Sequence, residues 1–105
     1  MKRQLYNTVI LKDDCLRLDY YIITAYRDAE DLQKEIPTYG LEINQVPTNT
    51  FSQFGYISTT VEDITADYGK ICEFANLLSV NEIDPSILFD VVNDKLDEGF
   101  FDKAN

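Results

Sequence analysis

Tyr39–Thr65 reads YGLEINQVPTNTFSQFGYISTTVEDIT, and the architecture depends on how this stretch is parsed. Thr38–Val46 alternates: Tyr39, Leu41 and Ile43 face one way, Glu42 and Asn44 the other. That is the pattern of a half-buried strand. Pro47, Thr48, Asn49 and Thr50 supply turn chemistry. Phe51–Asp63, dense in aromatic and β-branched residues, is then predicted as the returning strand. Gly40 and Gly55 fall within these strands, where a missing side chain marks a bulge or a close backbone approach.

Toward the N-terminus, Leu5–Lys12 is rich in β-branched residues and reads as a strand, with Asp13 and Asp14 suited to a turn. In Cys15–Arg27, Leu16, Leu18, Tyr20 and Ile22 lie on one side of the pleat, and Arg17, Asp19, Tyr21 and Ile23 on the other. The segment is apolar on both sides from Tyr20 onward, as in a central strand. The charged connection Asp28–Pro37 is predicted as a long hairpin loop, with Pro37 disfavouring helix at Ile36.

Toward the C-terminus, the hydrophobic period changes from that of a strand to that of a helix at Thr65. Tyr68, Ile71, Cys72, Ala75 and Leu78 form a stripe widened by Phe74 and Leu77, and Thr65 is the expected N-cap. In the second helix Asp84 is the expected N-cap and Pro85 the first helical residue. Ile87, Leu88, Val91, Val92 and Leu96 form its stripe, and Gly99 ends it. The short link between the helices predicts an αα-hairpin.

The order ββββαα predicts an α+β fold: a four-stranded antiparallel meander with a C-terminal helix pair packed on one face. Residues 1–105 are expected to form a single domain, a length that supports one hydrophobic core. If the Leu16–Ile22 set faces the helices, Tyr21 and Ile23 lie on the uncovered face. They are therefore the candidate interface residues for a homodimer or a protein partner.

Three short motifs carry a resemblance. Tyr39-Gly40-Leu41-Glu42-Ile43, Ile64-Thr65 before a helix, and Ile83-x-Pro85-x-Ile87-Leu88 before an acidic amphipathic helix resemble a group of short clostridial, Firmicute-type proteins classed only as a domain of unknown function. That group has a histidine where this chain has Ile87. The likeness covers about Tyr20 to Leu96 and implies a small soluble protein, with no activity attached.

Composition narrows the function classes. The 105 residues carry 19 acidic against 9 basic side chains, a net charge of −10, which repels phosphate backbones and anionic membranes. No nucleic-acid or membrane partner is therefore expected. The start, MKRQLYNTVILKDD, lacks the apolar run of a signal peptide, and no apolar stretch reaches the roughly 18 residues of a membrane span. A cytoplasmic protein follows as the expectation, with Cys15 and Cys72 as reduced thiols.

With no histidine, a His-based triad and imidazole metal ligation are excluded within one chain. Asp90, Asp94 and Asp97 share a helix face, as a solvated surface, a cation site or a surface for a basic helix. Asp28–Asp31 lacks the glycine of a calcium loop. No cofactor, metal site or catalytic residue is assigned.

The functional expectation is a non-enzymatic interaction or regulatory domain. The alternatives are a carboxylate-based metal-dependent hydrolase, using Asp28–Asp31 with the second helix, and a small-ligand carrier with a pocket between sheet and helices.

Overall fold

The computed structural model describes residues 1–29 and 34–102. Four antiparallel strands form one sheet in the order β1-β2-β3-β4: β1 Lys2–Leu11, β2 Leu16–Ala29, β3 Lys34–Pro47 and β4 Ile57–Thr65. Two helices follow, α1 Tyr68–Val80 and α2 Leu88–Asp97, with a 3-10 turn at Pro85–Ile87 leading into α2. This is the predicted α+β meander with both helices at the C-terminal end, and several boundaries move.

The Asp28–Pro37 segment, expected as a loop, continues the hairpin. β2 runs to Ala29 and β3 begins at Lys34, with Tyr26 opposite Pro37 and Asp28 opposite Glu35; residues 30–33 lie outside the described residues. Pairing to β1 ends at Thr24 and pairing to β4 ends at Tyr39, so the far part of this hairpin is a two-stranded ribbon. A ribbon exposes both faces and both outer edges. Arg27 and Glu35 are exposed there, so charge goes with solvation rather than loss of strand, and an outer edge tolerates a proline that donates no hydrogen bond.

The returning strand starts at Ile57, not Phe51. Over Asn49–Gly55 side chains take the backbone's partners. Asn49 Oδ1 accepts from the Phe51 amide at 2.8 Å, Ser52 Oγ accepts from the Phe54 amide at 3.2 Å, and Gln45 Nε2 donates to the Gly55 carbonyl at 3.1 Å. Such local bonds compete with a ladder, and aromatic content alone did not reveal them. Gly55 accordingly lies in a loop with open space around it, whereas Gly40 meets a neighbouring backbone. A Cβ on Gly40 would sit 2.1 Å from the Val61 carbonyl oxygen. The register between β3 and β4 slips at this point, with Tyr39 opposite Thr65 and Leu41 opposite Val61, and Asp63 takes φ +55° within the slip.

Helix α1 starts two residues later than expected. Asp67 is its cap, accepting from the Lys70 amide at 3.1 Å, while Thr65 ends β4 and its hydroxyl accepts from the Asp67 amide. Asp84 caps the 3-10 turn through the Ser86 amide, with Pro85 at the first position. Both helices close on a residue of positive φ. After α2, Gly99 (φ +77°) donates to Leu96 O and Phe100 to Lys95 O; after α1, Glu82 (φ +53°) donates to Ser79 O and Ile83 to Leu78 O. These pairs of bonds satisfy carbonyls that the helix leaves unpaired.

The core lies between the sheet and the helices: Leu18, Tyr20, Ile22, Leu41 and Ile43 from the sheet, Ile71, Phe74, Ala75 and Leu78 from α1, and Leu88 and Val92 from α2. Each helix packs chiefly on the sheet, α1 against all four strands and α2 with its 3-10 turn against β3 and β4. Phe101 joins this core edge-on to Phe74 at 5.2 Å, so the described part of the tail covers the helix side of the sheet. The Tyr20 hydroxyl donates to the Ile83 carbonyl at 2.8 Å and ties the link between the helices to the central strand.

Candidate functional site

The register fixes what stands side by side on the face away from the helices. Thr8, Asp19, Asn44 and Ser58 form one row across the sheet, and Leu5, Tyr21, Glu42 and Thr60 the next; Arg3 is opposite Ile23, which is opposite Gly40. Two hydrogen-bonded polar clusters lie in these rows, one centred on Asp19 and a larger one on Glu42. Thr8 Oγ1 donates to Asp19 Oδ1 at 2.9 Å, and Arg17 Nε bonds both Asp19 oxygens at 3.1 Å. Ser58 Oγ donates to Asn44 Oδ1, and Asn44 Nδ2 to Glu42 Oε2 at 3.1 Å. Glu42 also accepts from Thr60 Oγ1 at 2.8 Å and from the Arg3 guanidinium.

The Glu42 hydrogen bond pushes the Arg3 guanidinium pKa up, desolvation opposes it, and the Glu42 charge adds to the rise. The same guanidinium stands over the Tyr21 ring, 4.4 Å from its centroid.

Both candidate interface residues lie on this face, in different settings. Tyr21 is half-buried beneath Arg3, whereas Ile23 is 1% exposed within the chain itself. The apolar surface presented outward comes instead from edge strand β1, where Leu5 is 52% and Ile10 53% exposed. The polar network is foreshadowed by the alternation of Glu42 with Asn44 and of Ser58 with Thr60. Which residues meet across strands is a matter of register, and the sequence does not state it.

A second concentration of unburied apolar surface lies at the end of the sheet where the β1–β2 turn meets the β3–β4 loop. Thr48 donates its amide to the Cys15 carbonyl at 2.9 Å, and Ser52 Oγ donates to the Asp14 carbonyl at 3.1 Å. From this anchored loop Phe51, Phe54 and Tyr56 project into solvent, Phe51 85% exposed.

Asp90, Asp94 and Asp97 are exposed along α2, and among the described residues no three His, Cys, Asp or Glu side chains come together as a metal site. The side chains of Asp28–Asp31 lie outside the described residues. Cys15 and Cys72 are both free and half-buried. No described helix is long and apolar enough to cross a membrane.

The model of a family of unknown function, DUF6514, matches residues 2–98. The chain belongs to DUF6514. No curated protein and no solved structure matches it. In this DUF6514 chain the motif residues have structural roles. Tyr39 packs edge-on to Tyr68 at 5.2 Å, Gly40 admits the β4 backbone, Leu41 and Ile43 are core, and Glu42 is the hub of the polar network. Pro85 is buried at the start of the 3-10 turn, and Ile87 is exposed.

Proposed function

We propose that this DUF6514 protein is a non-enzymatic interaction or regulatory module of a Firmicute-type cytoplasm, associating through the uncovered face of its sheet. The observation that supports the reading is the one-sided cover: α1, α2 and Phe101 all pack on the same side, while Leu5, Ile10 and Tyr21 face away from it. Exposed apolar side chains on a rigid hydrogen-bonded base form a contact surface that needs little reordering on binding.

The face also carries both signs of charge, Arg3 and Arg17 beside Glu42 and Asp19. A second copy can therefore approach it without the like-charge repulsion that a chain of net charge −10 meets elsewhere. Tyr21 contributes its ring edge to such a contact, and Ile23 supports it from below.

Sedimentation velocity over a wide concentration range tests this. The wild type is expected to self-associate, and the Leu5→Ser/Tyr21→Ser variant to shift toward monomer with its circular dichroism unchanged. A wild type that sediments as a monomer at every concentration removes self-association through this face.

A further inference from the structure

We infer that the loop end of the sheet is a docking site for a basic, apolar segment of another protein, an inference that rests on the reading of this chain as an interaction module. Two open clefts meet there, on either side of the Asp13–Asp14 turn. One, of about 200 Å³, is lined by Asp13, Asp14, Phe51, Gln53 and Phe54. The other, of about 260 Å³, is lined by Ile10, Leu11, Lys12, Asp13, Asp14 and Glu82. Lys12 is the one base among these residues, against three carboxylates.

Three features of the site converge on the same occupant. First, the aromatic side chains are exposed although their loop is held in place. The Thr48 amide, Ser52 Oγ, Asn49 Oδ1 and Gln45 Nε2 all bond across or within it, so Phe51 and Phe54 are presented on a fixed backbone. Aromatic rings on an ordered loop give contact area at low entropic cost.

Second, the charge is complementary to a cation. Asp13, Asp14 and Glu82 form none of the described salt bridges, and the whole chain adds a net −10 that draws basic partners in. Third, aromatic faces beside carboxylates suit arginine or lysine in particular. The charged head pairs with a carboxylate and the stem or the guanidinium plane lies on a ring. The walls of both clefts are mainly polar and suit the basic heads, while the exposed rings of Phe51 and Phe54 beside them offer the apolar contact, as a segment alternating basic and apolar residues would require.

The probe is the fluorescein-labelled peptide Arg-Leu-Arg-Phe-Arg, titrated with the full chain and read by fluorescence anisotropy, with Glu-Leu-Glu-Phe-Glu as the charge-reversed control. The basic peptide is expected to bind and the acidic one not to. Phe51→Ser/Phe54→Ser, which keeps every charge, and Asp13→Asn/Asp14→Asn, which keeps every ring, should each weaken binding at least tenfold. Asp94→Asn/Asp97→Asn, on α2, should change it less than twofold.

All the substituted side chains are exposed, so circular dichroism should show each variant folded. Equal weakening by both aspartate pairs would mean that only net charge attracts the peptide, and unaltered binding by the phenylalanine pair would remove the site; either result overturns the inference. A peptide that does not bind at all also overturns it, while sedimentation of the Leu5/Tyr21 variant still decides the sheet-face reading separately. Co-sedimentation with phosphatidylcholine–phosphatidylglycerol vesicles that depends on Phe51 and Phe54 would assign the loop to a membrane surface and likewise overturn it.

Discussion

Tyr20 shows how one side chain joins the two layers. Its ring is fully buried in the central strand, and its hydroxyl reaches the carbonyl of Ile83, in the link between the helices. Burial pushes the phenol's pKa up, and the nearby carboxylates of Glu82 and Asp84 push it further the same way. The folded state therefore holds this proton more tightly than the unfolded chain. The resulting stabilisation is complete below the ordinary tyrosine value of about 10 and is lost as pH rises above it toward the folded-state value. Tyr20→Phe leaves the Ile83 carbonyl without its donor and should cost about 1–2 kcal/mol in urea titrations at neutral pH. Above about pH 10 the gap between wild type and variant should narrow, because only the wild type loses this contribution. A gap that widens with alkalinity would contradict the assignment.

Elements here depend on backbone details that hydrophobic patterning does not carry. The slip between β3 and β4 places the Val61 carbonyl where a Cβ on residue 40 would stand, so Gly40 is required by its neighbour's path rather than by its own φ. Gly40→Ala cannot be relieved by rotating a side chain, because the obstacle is backbone. The expected loss is about 3 kcal/mol, at the upper end for overpacking, read from the denaturant midpoint. An Ala variant as stable as the wild type would mean that β4 does not pass so close. Glycine within the strand was a legible sign of close approach, and at Gly40 it pointed to the right place. At Gly55 the same sign had a different cause, since side-chain bonds from Gln45 and Ser52 hold a loop there and β4 begins only at Ile57. The helix N-terminus shows a similar limit. Thr65 and Asp67 are both good caps, and the end of β4 at Thr65 decided between them.

At the scale of the whole molecule, net charge and pairing oppose each other. The described ion pairs range from Arg27–Asp63, more than half exposed on both sides, to Arg3–Glu42 and Arg17–Asp19, whose carboxylates are largely buried. Exposed pairs contribute about 0–1 kcal/mol each, and salt screens them. The net charge of −10 acts against the compact state as a whole, and salt screens that repulsion too. Among the described residues most carboxylates form no ion pair, so repulsion should dominate. Raising sodium chloride from a few millimolar to about 0.15 M, where the Debye length is about 8 Å, should therefore raise the thermal midpoint. A midpoint that falls would show that the Arg3–Glu42 and Arg17–Asp19 pairs outweigh the field.

The sequence by itself determined the order of elements, which residues of β2 and of β3 share a face, and the exclusion of imidazole chemistry within one chain. These follow from local periodicity and composition, which act over a few residues. Leu18, Leu41, Ile43, Ile71, Phe74 and Leu88 are buried on the faces that the spacing of an amphipathic strand or helix groups together. Tertiary structure alone decided which polar residues meet on the uncovered face, that Ile23 is buried there while Leu5 is not, and that Phe51 and Phe54 stand beside Asp13 and Asp14. Each of these depends on strand register or on a loop closing against another loop. Register is a relation between segments far apart in the chain, and neither segment carries it alone.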